Sequence, residues 1–126
     1  MNKAINFQIE GGRKLSGTVT TNTSKNSAVA LLCASLLNRG TTTLKNMPRI
    51  EEVNRIIEVL QSIGVKIRWV KGNDLELVPP KKLNLKKLNV EAATKTRSVL
   101  MLMGPLIHLF RHFTLPHPGG CKIGRR

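Results

Sequence analysis

Three short stretches of this chain bring together residue types able to handle an anionic, reactive substrate. Lys25-Asn26 stands where an apolar run begins after Thr23-Ser24. A helix starting there presents unpaired backbone N–H groups and the positive end of its dipole, which suit a phosphate or carboxylate. Lys25 adds a full charge to that field. The plainer alternative is a solvated lysine beside a capping residue.

Arg97, within Thr94-Lys95-Thr96-Arg97-Ser98, opens a further apolar stretch in the same way. A cation at a helix N-terminus opposes the dipole, so its placement hints at an anion that offsets it. Cys121 follows Pro118-Gly119-Gly120 and precedes Lys122, Arg125 and Arg126. Nearby cations favour thiolate and lower a thiol's pKa, which predicts a reactive cysteine, an incidental exposed thiol being the alternative. Cys33 lies inside an apolar run and reads as a core residue.

The elements that must position these groups follow from periodicity. Ile5, Phe7 and Ile9 alternate with polar residues, and Leu15, Gly17 and Val19 resume the alternation after Gly11-Gly12, predicting two short strands. Lys25–Leu37 predicts a helix buried on most sides, with Ser24 or Thr23 as N-cap and Gly40 beyond its end. Thr41–Leu44 is short and β-branched, a strand. Pro48 precedes an amphipathic helix carrying Ile50, Val53, Ile56, Ile57, Leu60 and Ile63, closed by Gly64. Val65, Ile67 and Trp69, then Gly72-Asn73, then Leu75 and Leu77 predict a β-hairpin. Pro79-Pro80-Lys81-Lys82 breaks the chain, after which Leu88–Val90 predicts a strand. Thr96–Ile107 predicts a second buried helix ending near Gly104-Pro105, with a strand and loop from Phe113 onward. From residue 15 to 78 the order is β-α-β-α-β-β, an α/β pattern with helices packed on a sheet.

Composition narrows the functional classes. The 126 residues amount to one domain, 40% of them apolar, in keeping with a soluble globular protein. No apolar run approaches the roughly 20 residues that span a bilayer, and Met1–Glu10 lacks the apolar centre of a signal peptide, so the expectation is a cytoplasmic protein without a membrane partner. Neither cysteine has a second cysteine or histidine at metal-ligand spacing, the three histidines clustering apart at 108, 112 and 117, so no metal and no cofactor are expected. With 21 Lys and Arg against 7 Asp and Glu, the net charge of +14 calls for an anionic partner without naming it. Phe7, Trp69, Phe110 and Phe113 are the only aromatics, and no basic-aromatic interleaving surrounds them. Nucleic acid is therefore the weaker choice.

Taken together, the Lys25-Asn26 helix start, the Arg97-to-Gly104-Pro105-Leu106 stretch and the Pro118-Gly119-Gly120-Cys121 loop resemble the UDP-N-acetylglucosamine 1-carboxyvinyltransferase family, in that order along the chain. Thr18–Leu37, Asn46–Gly64, Arg97–Leu106 and Pro118–Gly124 carry the resemblance, and the Pro-Gly-Gly-Cys element is its most discriminating part. The resemblance implies transfer of enolpyruvyl from phosphoenolpyruvate to the 3-hydroxyl of UDP-N-acetylglucosamine, in peptidoglycan synthesis. Lys25 and Asn26 would hold phosphoenolpyruvate. Arg97 would contact the nucleotide sugar or phosphates, Cys121 would donate a proton and form a covalent adduct, and Arg126 would begin the nucleotide-sugar loop. Thr23-Ser24 departs from the usual Gly-Ala before Lys-Asn, and Lys122 and Arg125 make the cysteine loop more basic than usual.

The resemblance also implies a partial inside-out α/β barrel built from β-α-β-α-β-β units. Residues 1–21 would be strands belonging to the family's second domain and 22–126 an incomplete first domain, the aspartate base and second domain lying elsewhere. Two other readings stay open: a non-catalytic basic module binding RNA or a partner protein, and a shikimate-pathway enolpyruvyl transferase, which Cys121 disfavours.

Overall fold

A computed structural model of the chain describes residues 6–119. Helix α1 spans Lys25–Ala34. Ser24 caps it from an extended backbone, its Oγ accepting from the Ser27 N–H at 3.4 Å. A 3-10 turn at Ser35–Leu37 tightens its end, and the Asn38 side chain then stops it by accepting from the Gly40 N–H at 3.1 Å. Burial falls on one face only, through Ala28, Val29, Leu32, Cys33 and Leu36. Leu31 and Leu37 are exposed, contrary to the expectation of a helix buried on most sides. Every apolar residue of a helix can be buried only if neighbours surround it, and here neighbours pack on one side.

Strand β1, Thr42–Leu44, leads to helix α2, Glu51–Ser62, whose Val53, Ile56, Ile57, Val59 and Leu60 are buried. Glu51 and Glu52 occupy its first turn, where the helix dipole favours acids. Its end is a Schellman motif: the Val65 N–H donates to Leu60 O at 3.1 Å and the Gly64 N–H to Gln61 O at 3.0 Å. Gly64 adopts φ 109°, which a side chain resists, so the predicted glycine cap is in place.

The hairpin follows as β2, Lys66–Trp69, and β3, Leu75–Val78. β3 lies in the centre of the sheet, antiparallel to β1 and β2, with Thr43 and Arg68 both opposite Glu76. β1 and β2 thus run parallel to each other, α2 carrying the chain between them around the central β3. Leu75 and Leu77 turn inward to the core that α1 and α2 close, while Arg68 donates to Glu76 at 2.7 Å on the other face. The architecture is a small mixed α/β unit with a three-stranded sheet.

Four further expectations are corrected. Residues 6–24 form neither helix nor strand, and Phe7, Ile9, Leu15 and Val19 are all exposed. Their alternation is real, but among the described residues no strand pairs with it, and a strand without a partner has no ladder. Leu88–Val90 is not a strand. Asn89 instead caps helix α3, Val90–Thr94, accepting from the Ala92 N–H at 3.0 Å, and this local side-chain bond decides the conformation.

The Thr96–Ile107 helix is divided into a 3-10 helix at Ser98–Leu102 and α4 at Met103–Leu109. Gly104-Pro105 does not end it, because Pro105 is the third residue of α4, where a missing N–H costs nothing. Apart from Thr96, only Val99, Leu102, Pro105 and Leu106 of this stretch are buried. Finally, Phe113–Gly119 carries no strand.

Candidate functional site

Two of the predicted anion-binding positions converge. Lys25 is the first residue of α1, and Arg97 stands immediately before the 3-10 helix that packs against α1. Between them lies Glu52, from the first turn of α2. Its carboxylate accepts hydrogen bonds from the hydroxyls of both Thr96 and Ser98, the two residues that bracket Arg97. The Ser98 N–H also donates to Thr96 Oγ1 at 3.0 Å, closing a tight turn around the arginine.

Thr96 is the buried polar residue of the core, only 2% exposed, while Lys25, Asn26 and Arg97 are exposed. Burial pushes the Glu52 carboxyl up, but the Ser98 and Thr96 hydroxyls, the Lys25 charge and the Ser98 backbone N–H outweigh it. They leave its pKa below the ordinary 4.5. One anchored carboxylate thus stands near the exposed Lys25 and holds the turn that carries the exposed Arg97.

The chain leading into α1 is anchored as well. Thr23 Oγ1 donates to Asn46 O at 2.8 Å, the Asn46 N–H donates to Asp74 Oδ1 at 2.9 Å, and the Met47 N–H donates to Asn73 O at 2.8 Å. Asn46 sits at φ 52°, a left-handed conformation that asparagine tolerates. Arg49 Nε donates to Asn73 Oδ1 at 3.1 Å, and its guanidinium lies 4.0 Å from the centre of the Trp69 ring. The starts of α1 and α2 and the hairpin loop are therefore pinned to one another.

Cys33 is buried and its thiol is pushed up to about 12 by that burial, as a core cysteine requires. Cys121 and Arg126 lie outside the described residues. Gly119, just before that stretch, passes so close to the Thr94 carbonyl that any side chain would collide with it. Two cavities of about 620 and 550 Å³ lie instead along Lys82–Lys86 and Phe110–Thr114 and against Arg39 and Pro80; none of the candidate residues lines them. Lys25 and the turn that carries Arg97, not a cavity, mark the candidate site.

Glu52 is the residue that sequence reasoning missed. An acid in the first turn of a helix has a sufficient local explanation in the dipole, and its partners stand 44 and 46 residues away. No helix among the described residues is long and apolar enough to cross a membrane.

The mixed α/β unit brings Lys25, Glu52 and the Arg97 turn together from the starts of three helices. Comparison with known proteins gives its family: the model of EPSP synthase (3-phosphoshikimate 1-carboxyvinyltransferase) matches residues 9–126, and the chain belongs to that family. It is 35% identical over 122 residues to a UDP-N-acetylglucosamine 1-carboxyvinyltransferase of Bradyrhizobium diazoefficiens, covering 97% of this chain and 28% of that protein. Proteins of the same name are 36% identical over 120 residues in Gloeobacter violaceus and 39% over 124 in Prochlorococcus marinus. These cover 95% and 98% of this chain. The chain spans 26% and 27% of those two relatives' own lengths.

Proposed function

We propose that this chain supplies part of the substrate-binding wall of a UDP-N-acetylglucosamine 1-carboxyvinyltransferase, transferring enolpyruvyl from phosphoenolpyruvate to the 3-hydroxyl of UDP-N-acetylglucosamine. Such a reaction serves peptidoglycan synthesis in the cytoplasm, and through it cell-wall biogenesis, cell shape and division. The observation that carries the reading is the convergence of Lys25 and the Arg97 turn on Glu52, in a chain whose relatives bear that enzyme's name. The names of those relatives favour the nucleotide sugar over the shikimate-type acceptor.

In this reading Lys25 and Asn26, with the N–H groups at the start of α1, hold the phosphate and carboxylate of phosphoenolpyruvate. Arg97 contacts the nucleotide sugar or the phosphates, that of phosphoenolpyruvate included, and Arg126 begins the nucleotide-sugar loop. Cys121 gives up its proton to the enolpyruvyl group and forms the covalent adduct. Residues 1–21 belong with a second domain and 22–126 form part of the first, within an inside-out barrel of repeated units. The general base comes from neither segment, so the 126 residues alone bind but do not turn over.

The test is a titration of the isotope-labelled chain with phosphoenolpyruvate and UDP-N-acetylglucosamine, followed by nuclear magnetic resonance. Amides of Lys25, Asn26 and Arg97 should shift, and Lys25→Ala or Arg97→Ala should weaken binding about tenfold, as expected for one charged hydrogen bond. Shifts confined to the Lys82–Lys86 cavity would overturn the assignment. Phosphate release by the 126 residues above a Cys121→Ser control would overturn the claim that the base lies elsewhere.

A further inference from the structure

We infer that Glu52 is a positioning residue of the anion site: by accepting from Thr96 and Ser98 it fixes the turn that aims Arg97 toward the ligand held at Lys25. The inference rests on the reading of that site given above and adds to it a residue that contacts no substrate. Three observations carry it. The Glu52 carboxylate bonds both residues flanking Arg97 and neither of the cations' own head groups. Thr96 is buried, so its hydroxyl cannot exchange Glu52 for water and the clamp holds the backbone on both sides of the arginine. Glu52 is itself fixed by its place in the first turn of α2, whose buried face is built into the core.

The role also gives an account of a carboxylate that otherwise works against its surroundings. A negative charge beside an anion site repels the ligand, and its removal alone should tighten anion binding by about two- to threefold in a well-solvated site. A positioning role predicts the opposite. Without the clamp, Arg97 samples orientations away from the ligand, and a charge-assisted contact worth about tenfold in affinity is lost. The sign of the change therefore separates the two roles, and a loss of stability alone would change neither.

The experiment measures phosphoenolpyruvate affinity, by the same amide shifts, for the wild-type chain and for Glu52→Ala, Thr96→Val, Thr96→Ser, Lys25→Ala and Arg97→Ala. Each variant is first shown to be folded by circular dichroism. Glu52→Ala, which removes the acceptor oxygen shared by Thr96 and Ser98, should bind about five- to tenfold more weakly despite the lost negative charge. Thr96→Val, which changes no charge, should weaken binding in the same direction, and Thr96→Ser, which keeps the hydroxyl, should restore it. In the double variant of Glu52→Ala with Arg97→Ala, the change at position 52 should cost nothing further.

Unchanged or tighter binding by Glu52→Ala, while Lys25→Ala and Arg97→Ala still weaken it, overturns the positioning role and leaves the site standing. Absence of binding by the wild type, or indifference to Lys25→Ala and Arg97→Ala, overturns the site itself and the inference with it. Should Glu52→Ala not fold, Thr96→Val against Thr96→Ser decides the question. Equal affinity in those two sinks the clamp.

Discussion

Raising the pH should destabilise this protein in part through the buried Cys33 thiol. Cys33 is 1% exposed and its pKa is pushed up from 9.0 to about 12 by burial. Its folded value is raised, so the stability it contributes is intact below pH 9 and is lost as pH rises toward 12, because only the unfolded thiol releases its proton there. At pH 10 the loss from this group is about 1.4 kcal/mol relative to pH 7, and each further unit costs about the same until the folded value is reached.

With a urea dependence of about 1–3 kcal/mol/M, that loss moves the unfolding midpoint down by between about 0.5 and 1.4 M. Other groups titrate over the same range, so Cys33→Ala is measured in parallel by circular dichroism. The alanine variant should start about 1 kcal/mol less stable at pH 7 for its lost packing, and the gap should close by pH 10. A gap that stays constant from pH 7 to pH 10 would refute the argument that burial keeps this thiol protonated.

Further tests concern packing, backbone and the second cysteine. Ile56→Ala, at a fully buried position of α2, should lower the unfolding free energy by about 2–5 kcal/mol, whereas Ile107→Ala, 62% exposed on α4, should change it by less than about 0.5; similar costs would contradict the one-sided burial of α4. Gly64→Ala should cost at least about 1 kcal/mol in the same measurement, since φ 109° resists a side chain and the new Cβ would stand 3.3 Å from Pro80; a neutral result would remove the Schellman motif as a constraint. Peptide-resolved mass spectrometry of maleimide labelling at pH 7 should find Cys121 modified well before Cys33, and equal rates would show that Cys33 is not shielded.

The segments most legible in the sequence were those whose cause is local. The Pro48 helix was readable because its apolar residues recur every three or four positions, and the hairpin because Gly72 and Asn73 divide two alternating runs. Gly64 was readable as a cap because few residues other than glycine take that conformation. What was misread depends on partners. Phe7, Ile9, Leu15 and Val19 show the alternation of strands, but pairing is a property of two segments and periodicity describes one.

The outward faces of α1 and α4 were misread for the same reason, since apolar composition says that a helix can be buried and not which sides have neighbours. At the site, Lys25 and Arg97 were legible by charge and position at helix starts. Glu52 was not, because only the fold brings α2 against Thr96 and Ser98. Cys121 and Arg126 stay where the sequence left them, outside the described residues.

The Arg49 guanidinium stacked over Trp69 has an optical consequence. Trp69 is the only tryptophan and there is no tyrosine, so ultraviolet emission from the whole chain comes from one ring. The charge above that ring belongs to a residue two positions before α2, and Asn73 and Gly72 tether it to the hairpin loop. A displacement at the start of α2, where Glu52 sits, would move a full positive charge across the face of the indole and change its emission wavelength. The protein thus carries its own dye against the residue that leads into α2, and ligand titrations can be followed without attaching another.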